Sequence, residues 1–174
     1  RQMCIRDRIE NITADNARLV SNLHANLGGL YRMNGYPDLA REHMEKSISL
    51  LDQFNLLHIN DSIPQIANYA MFLTEQQEPE RGISELQKLS GIIKEYHSDD
   101  CLDYAKVQET LGTIYLMTAN LPQAKTHFKR AFKIYEKIWA DEPEMIEAKY
   151  QEIQELYPQI GFCIEKNLSD LLTK

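Results

Sequence analysis

The chain has few cysteines, and the three it carries lie far apart at Cys4, Cys101 and Cys163. An odd number of widely spaced cysteines argues against a disulfide framework and favours a reducing, cytoplasmic compartment. No run approaches the roughly 18 apolar residues that a membrane helix needs, and no secretory signal is visible. These absences exclude a disulfide-rich secreted domain and predict a globular chain without a membrane partner.

The sequence also lacks the short motifs of common catalytic and nucleotide-binding sites. It contains no P-loop, GxGxxG or GxSxG stretch. Its histidines, at positions 24, 43, 58, 97 and 127, show no paired metal-ligand spacing. The acidic segment 97–103 could be read as a metal cluster, but a solvated loop before a helix is the favoured interpretation. We therefore predict a non-enzymatic chain with no catalytic residue, metal site or cofactor.

The charge balance is acidic, with 19 basic and 26 acidic residues and a net charge of −7. Such a balance disfavours direct binding to nucleic acid. The acidic segment 141–155 and the lysine-rich segment 125–137 could each dock an oppositely charged partner, but solvated helix surfaces are the favoured interpretation of both.

The first eight residues, RQMCIRDR, are treated separately. Their back-translation resembles the transposon-end adapter that is used to prepare sequencing libraries. We interpret residues 1–8 as a processing artefact and exclude them from the fold prediction. The natural N terminus is then expected to lie further upstream.

Residues 105–135 form the clearest pattern in the chain, with two amphipathic runs joined by the turn ANLP. Small and large residues share one face of each run: Leu111, Gly112 and Tyr115 on the first, then Ala124, Phe128 and Ala131 on the second. The small residues allow two antiparallel helices to approach closely, and the large ones fill the space between them. The segment therefore predicts a helical hairpin.

This pattern recurs with a period of 42 residues. A small residue stands at Gly28, Ala70 and Gly112, and a large one follows three positions later in each case. Agreement among these spacings indicates an internal repeat. The repeats predict helices over 15–33, 37–54, 61–75, 79–96, 101–118 and 121–140, with a further helix that opens at 141–143. Thr13 or Asp15 is the predicted cap of the first helix, and residues 97–100 that of the fifth. Residues 161–172 are predicted to be a final capping helix.

The repeats resemble the tetratricopeptide repeat, and the 42-residue period is similar to its kinesin-light-chain type and to bacterial proteins with such repeats. Gln108 stands where this family usually has tryptophan. The resemblance implies an all-α, right-handed superhelical solenoid of antiparallel helix pairs. Residues 9–140 would hold three repeats, in the register 21–62, 63–104 and 105–146. Residues 141–174 would be a partial fourth repeat or capping helices.

In this family the first helix of each pair lines a concave groove that binds a protein or peptide. Asn26 and Asn68 lead the predicted site, because a side-chain amide offers both a donor and an acceptor to an extended backbone. The third repeat has Thr110 instead, and both asparagines could also serve helix packing or stay solvated. Met33, Met71 and Met117 could make the groove adaptable or belong to the core. The predicted site residues are Asn22, Asn26, Arg32, Asn68, Met71, Glu75, Glu109 and Thr113.

The predicted function is thus that of a cytoplasmic, non-catalytic scaffold that binds a peptide or partner segment in its groove. Recognition of acidic chaperone tails is disfavoured, because the lysines it needs are replaced by Ala25, Ala67 and Glu109. The alternative is a peptide-sensing or regulatory domain of a larger bacterial transcription regulator, ATPase or kinase. The oligomeric state is not predicted.

Overall fold

The computed structural model describes residues 12–60 and 62–156, which form helices joined by short turns. The helices are α1 (Ala17–Met33), α2 (Pro37–Gln53), α3 (Ser62–Glu75), α4 (Pro79–Tyr96), α5 (Leu102–Met117), α6 (Leu121–Ile138) and α7 (Pro143–Leu156). No strand occurs in these two ranges, so the predicted all-α fold is confirmed. The predicted helix ends agree within about two residues. The adapter-like residues 1–8 and the predicted helix at 161–172 lie outside the described residues.

The chain divides into two compact units, residues 1–96 and 97–174. The described part of the first contains α1 to α4, and that of the second contains α5 to α7. None of the described helices is both long enough and apolar enough to cross a membrane.

The first unit is built from two helical hairpins, α1–α2 and α3–α4. In α1–α2 the contacts run in opposite directions along the two helices: the hydroxyl oxygen of Ser21 lies 3.1 Å from that of Ser47, while Gly28 lies against Met44. The pairing is therefore antiparallel, as the sequence predicted. Its core joins α2 to α3 through Ala40, Met44, Tyr69, Phe72 and Leu73, with Tyr31 and Ile48 packed against it.

Glycine and alanine set the distance between paired helices. A Cβ added to Gly82 of α4 would lie 2.7 Å from the backbone oxygen of Ala70 in α3. A Cβ on Gly112 of α5 would lie 2.9 Å from the Phe128 ring in α6. Gly112 belongs to the small-residue pattern seen in the sequence, and Gly82 lies one period before Ala124 of the same pattern. Any larger side chain would force the helices apart.

Each hairpin closes through the same backbone turn at the 42-residue period. Gly35, Gln77 and Ala119 all have positive φ, at 78°, 65° and 58°. The following amides donate back to the helix, from Tyr36 to Tyr31, Glu78 to Leu73 and Asn120 to Tyr115, over 3.0, 2.8 and 2.7 Å. This is the pattern of a helix that ends on a left-handed residue. The internal repeat is thus present in the backbone as well as in the side chains.

The second unit pairs α5 with α6 and adds α7. Gln108, at the usual tryptophan position, is buried, and its side-chain oxygen accepts a hydrogen bond from His127 Nδ1 at 2.9 Å. The Tyr150 ring of α7 stacks on Phe132 of α6, with ring centroids 4.1 Å apart. A polar contact between the paired helices therefore replaces the aromatic packing that the family pattern implies.

Two predicted helix caps are wrong. The N-cap position of α1 is Asn16 rather than Thr13 or Asp15. Its side chain makes no capping bond to the helix and instead accepts from the backbone N–H of Thr13, before the helix, at 2.8 Å. The cap of α5 is Cys101 rather than residues 97–100, since Cys101 Sγ accepts from the Tyr104 N–H at 3.4 Å. In both cases the helix begins one or two residues later than the polar run suggested.

The close approach at Gly82 predicts opposite effects for two glycines of one helix. Gly82→Ala should lower the free energy of unfolding by about 1–3 kcal/mol, because the new methyl group meets backbone that cannot move aside. Gly91→Ala is the matched control, with nothing within 4 Å of its added Cβ. It should raise stability by about 0.5–1 kcal/mol. Chemical denaturation measures both, and equal stability of the two variants would contradict this account of the packing.

The hairpin turns predict a second pair of opposite effects. Gly35→Ala should destabilise by about 1 kcal/mol, because alanine is strained at positive φ. Ala119→Gly should stabilise by about 0.5 kcal/mol, since relief of strain outweighs the greater freedom of glycine in the unfolded chain. Thermal unfolding of the variants tests this. If Gly35→Ala stabilised the chain, that result would contradict the positive φ of residue 35 in the turn.

Candidate functional site

A cleft of about 280 Å³ lies in the first unit between α1 and α3, with α2 at its base. It is lined by side chains without charge: Asn22, Ala25, Asn26, Met44, Ser47, Pro64, Gln65 and Asn68. The structure thus brings the predicted Asn22, Asn26 and Asn68 together. Asn26 and Asn68 are exposed at equivalent positions of neighbouring repeats, so their amides are accessible to a bound molecule.

A buried hydrogen-bond network supports one side of the cleft. Gln65 Oε1 accepts from the hydroxyl of Ser21 at 2.8 Å and also from that of Ser47. Gln65 Nε2 donates to Asn22 Oδ1 at 2.5 Å. Ser21, Ser47 and Gln65 are 0%, 1% and 8% exposed. Since buried polar groups are costly unless bonded, this network fixes the relative positions of α1, α2 and α3.

The sequence prediction missed Gln65, although the repeat pattern holds a signal for it. One period earlier or later, the equivalent residues are Leu23 and Val107, both apolar. An amide at a position that is otherwise apolar indicates a specific polar partner inside the fold. That partner set, Ser21 and Ser47, comes from two other helices and cannot be identified from spacing alone.

The predicted Arg32 and Glu75 lie at the C-terminal ends of α1 and α3, where they pair with each other. Arg32 Nε donates to Glu75 Oε2 at 2.8 Å, and the side chains are 30% and 37% exposed. An exposed pair of this kind contributes about 0–1 kcal/mol. Met71 of α3 is half-buried and does not line the cleft. Met33 and Met117 are exposed at 84% and 44%, so they do not belong to the core.

The predicted Glu109 and Thr113 lie on α5 of the second unit. The Glu109 carboxylate accepts from the Tyr135 hydroxyl at 2.5 Å and from Lys149 Nζ at 3.1 Å. Burial lowers the pKa of Lys149, but the hydrogen bond to Glu152 and the charge of Glu109 outweigh it, so the pKa is raised. The Thr113 hydroxyl donates to the backbone oxygen of Glu109 at 3.1 Å. These two residues are therefore engaged in contacts within their own unit.

A histidine pair links α1 to α2 on another face of the first unit. His24 Nδ1 lies 2.8 Å from His43 Nδ1, and the Tyr31 ring stacks on His43 with centroids 5.3 Å apart. Burial, followed by the charges of His43 and Lys46, lowers the pKa of His24. The sequence prediction missed this pair, because its members are brought together only by the antiparallel hairpin. Within 12–60 and 62–156, no group of three or more His, Cys, Asp or Glu side chains is placed to hold a metal ion.

Comparisons with known proteins agree with the repeat pattern and the fold. A family model described as tetratricopeptide repeat matches residues 62–137. The crystal structure of BtubC (BKLC) from P. vanneervenii is similar to this chain, with a TM-score of 0.69 and 18% sequence identity. The similarity covers 88% of this chain and 60% of that chain, so the present sequence matches less than two thirds of the BtubC chain. A search of curated proteins gave no match. Residues 62–137 are thus matched as tetratricopeptide repeat, and the 42-residue period and the shared helical architecture agree with that match.

Proposed function

We propose that the cleft between α1 and α3 binds an extended segment of a partner protein or a peptide. The observation that carries this proposal is the convergence of Asn22, Asn26 and Asn68, from two neighbouring helices, on one uncharged cleft. Tetratricopeptide repeats generally serve as non-catalytic protein-interaction modules, and this cleft is a surface on which such an interaction can occur.

The chemistry of the lining suits a peptide backbone. An extended segment presents N–H and C=O groups in alternation, and each asparagine amide can pair with one of either kind. Ala25, Met44 and Pro64 add apolar surface between the amides, where small side chains of the ligand can pack. Because no charged residue lines the cleft, affinity should depend only weakly on salt concentration.

The Gln65 network supports binding by holding part of the site in place before the ligand arrives. Asn22 is bonded to Gln65 through its side-chain oxygen, and Gln65 is held by two buried hydroxyl groups. A side chain that is already ordered loses less conformational entropy on binding than a free one. The ligand therefore meets Asn22 in a fixed orientation, whereas Asn26 and Asn68 can adjust.

The other predicted residues have secondary roles in this proposal. Arg32 and Glu75 lie outside the cleft lining and pair with each other. Each would exchange this ion pair for one with a charged side chain of the partner, and so select among partners. Met71 would add an adaptable apolar contact on α3. Glu109 and Thr113 stay predictions for the corresponding face of α5. A contact area of this modest size would give an affinity of the order of micromolar.

Removal of the two exposed amides tests the proposal. A peptide is selected from a phage-displayed library against the wild-type chain, and its affinity is measured by fluorescence anisotropy. Asn26→Ala/Asn68→Ala should weaken binding by about 10-fold or more, because each lost hydrogen bond contributes about 0.5–1.5 kcal/mol. The melting temperature should stay close to that of the wild type, since both side chains are exposed.

A double variant on other helices serves as the matched control. Gln53 of α2 and Gln87 of α4 are exposed amides that do not line the cleft. Gln53→Ala/Gln87→Ala should leave the affinity unchanged. If the asparagine variant retains wild-type affinity, or if both double variants lose it equally, the asparagines do not form the site.

A further inference from the structure

The His24–His43 pair imposes a proton constraint on the first unit. A hydrogen bond between two Nδ1 atoms needs one N–H donor and one unprotonated acceptor. The pair can therefore hold this geometry when both rings are neutral or when one ring is a protonated imidazolium. It cannot do so when both rings are imidazolium ions. Second protonation would remove the acceptor and leave two like charges at a separation of 2.8 Å.

The charged groups around the pair come mainly from α2. Lys46 opposes protonation of His24 and Glu42 favours it. Glu45 also borders the pair, and its carboxylate accepts from the Tyr69 hydroxyl of α3. The one acidic residue of α3, Glu75, is paired with Arg32. Among these groups, Glu42 is the one that stabilises the protonated ring of His24, whereas burial disfavours that protonated form.

The pair ties together α1 and α2, which carry five of the eight residues that line the cleft. His24 lies two residues from Asn22 on one side and two residues from Asn26 on the other. His43 precedes Met44, which forms part of the cleft base. A change in the spacing of α1 and α2 at the histidines would thus displace cleft residues on both helices, because a helix moves as a rigid rod over one or two turns.

We propose that the His24–His43 pair is a pH-sensitive latch between α1 and α2 that controls the geometry of the cleft. The regulatory part of this inference rests on the proposed function of the cleft, whereas the latch itself does not. Near neutral pH the pair is bonded and the cleft is ordered. On acidification the second proton breaks the bond and loosens α1 from α2.

The direction of the stability effect follows from the pKa of His24, which lies below its ordinary value of 6.5 in the folded chain. Burial is the first cause and the positive charge of His43 the second, so protonation of His24 is the step that places a second charge on the pair. The unfolded chain takes up the proton first as the pH falls. The contribution of the pair to stability is therefore fully present above about pH 6.5 and is lost as the pH falls through the lower, folded-state pKa of His24.

Nuclear magnetic resonance of the full chain tests the latch without any ligand. The histidine ring signals and the side-chain amide signals of Asn22 and Asn26 are followed from about pH 8 to about pH 5. We expect His24 to titrate below 6.5, and the two amide signals to shift with the same midpoint. In His43→Gln, position 43 no longer titrates, so the pH midpoint of the His24 titration should change. The shifts of the two amide signals should change to the same new midpoint.

The second unit provides an internal control. His127 stacks on Tyr115, with ring centroids 5.2 Å apart, and should titrate identically in the wild type and in His43→Gln. If the variant does not fold, the wild-type titration still decides. An ordinary His24 midpoint, or amide signals that do not follow it, would overturn the latch. Wild-type affinity of the selected peptide in Asn26→Ala/Asn68→Ala would instead refute the proposed function and leave the latch standing.

Discussion

The close approach of paired helices at small residues is the constraint on which the rest of the structure depends. Gly82 lies against the backbone of Ala70, and Gly112 against the ring of Phe128. Because these contacts recur every 42 residues, each hairpin has nearly the same spacing and closes through the same left-handed turn. Regular spacing is what allows side chains at equivalent positions, such as Asn26 and Asn68, to face one cleft. The repeat therefore connects backbone geometry to the proposed binding surface.

Polar groups add a second level of order to this apolar framework. Apolar packing alone specifies that α1, α2 and α3 meet, but it tolerates small changes of position. The bonds of Gln65 to Ser21, Ser47 and Asn22 have directional requirements, so they select one arrangement. The His24–His43 bond acts on the same α1–α2 pair. In our proposal the Gln65 network keeps the cleft in its binding conformation, and the His24–His43 bond makes that conformation depend on pH.

The sequence was sufficient to predict the helices, because hydrophobic periodicity, small residues and turns recur three times. It was also sufficient to place Asn22, Asn26 and Asn68 on one side of the repeats. It could not show the Gln65 network or the histidine pair, since both depend on side-chain contacts between residues 18 to 44 positions apart. Nor could it show that Arg32 is bonded to Glu75. The caps at Asn16 and Cys101 were missed because neighbouring polar residues compete for the same role.

The central claim is that a partner segment lies in the cleft between α1 and α3. Photo-crosslinking tests it most directly: a selected peptide that carries a diazirine side chain is bound, irradiated and mapped by mass spectrometry. The account predicts crosslinks within α1 and α3 around Asn22, Asn26 and Asn68, with fewer in Asn26→Ala/Asn68→Ala. Crosslinks that fall mainly on α4 or α6, and that persist in the double variant, would contradict it.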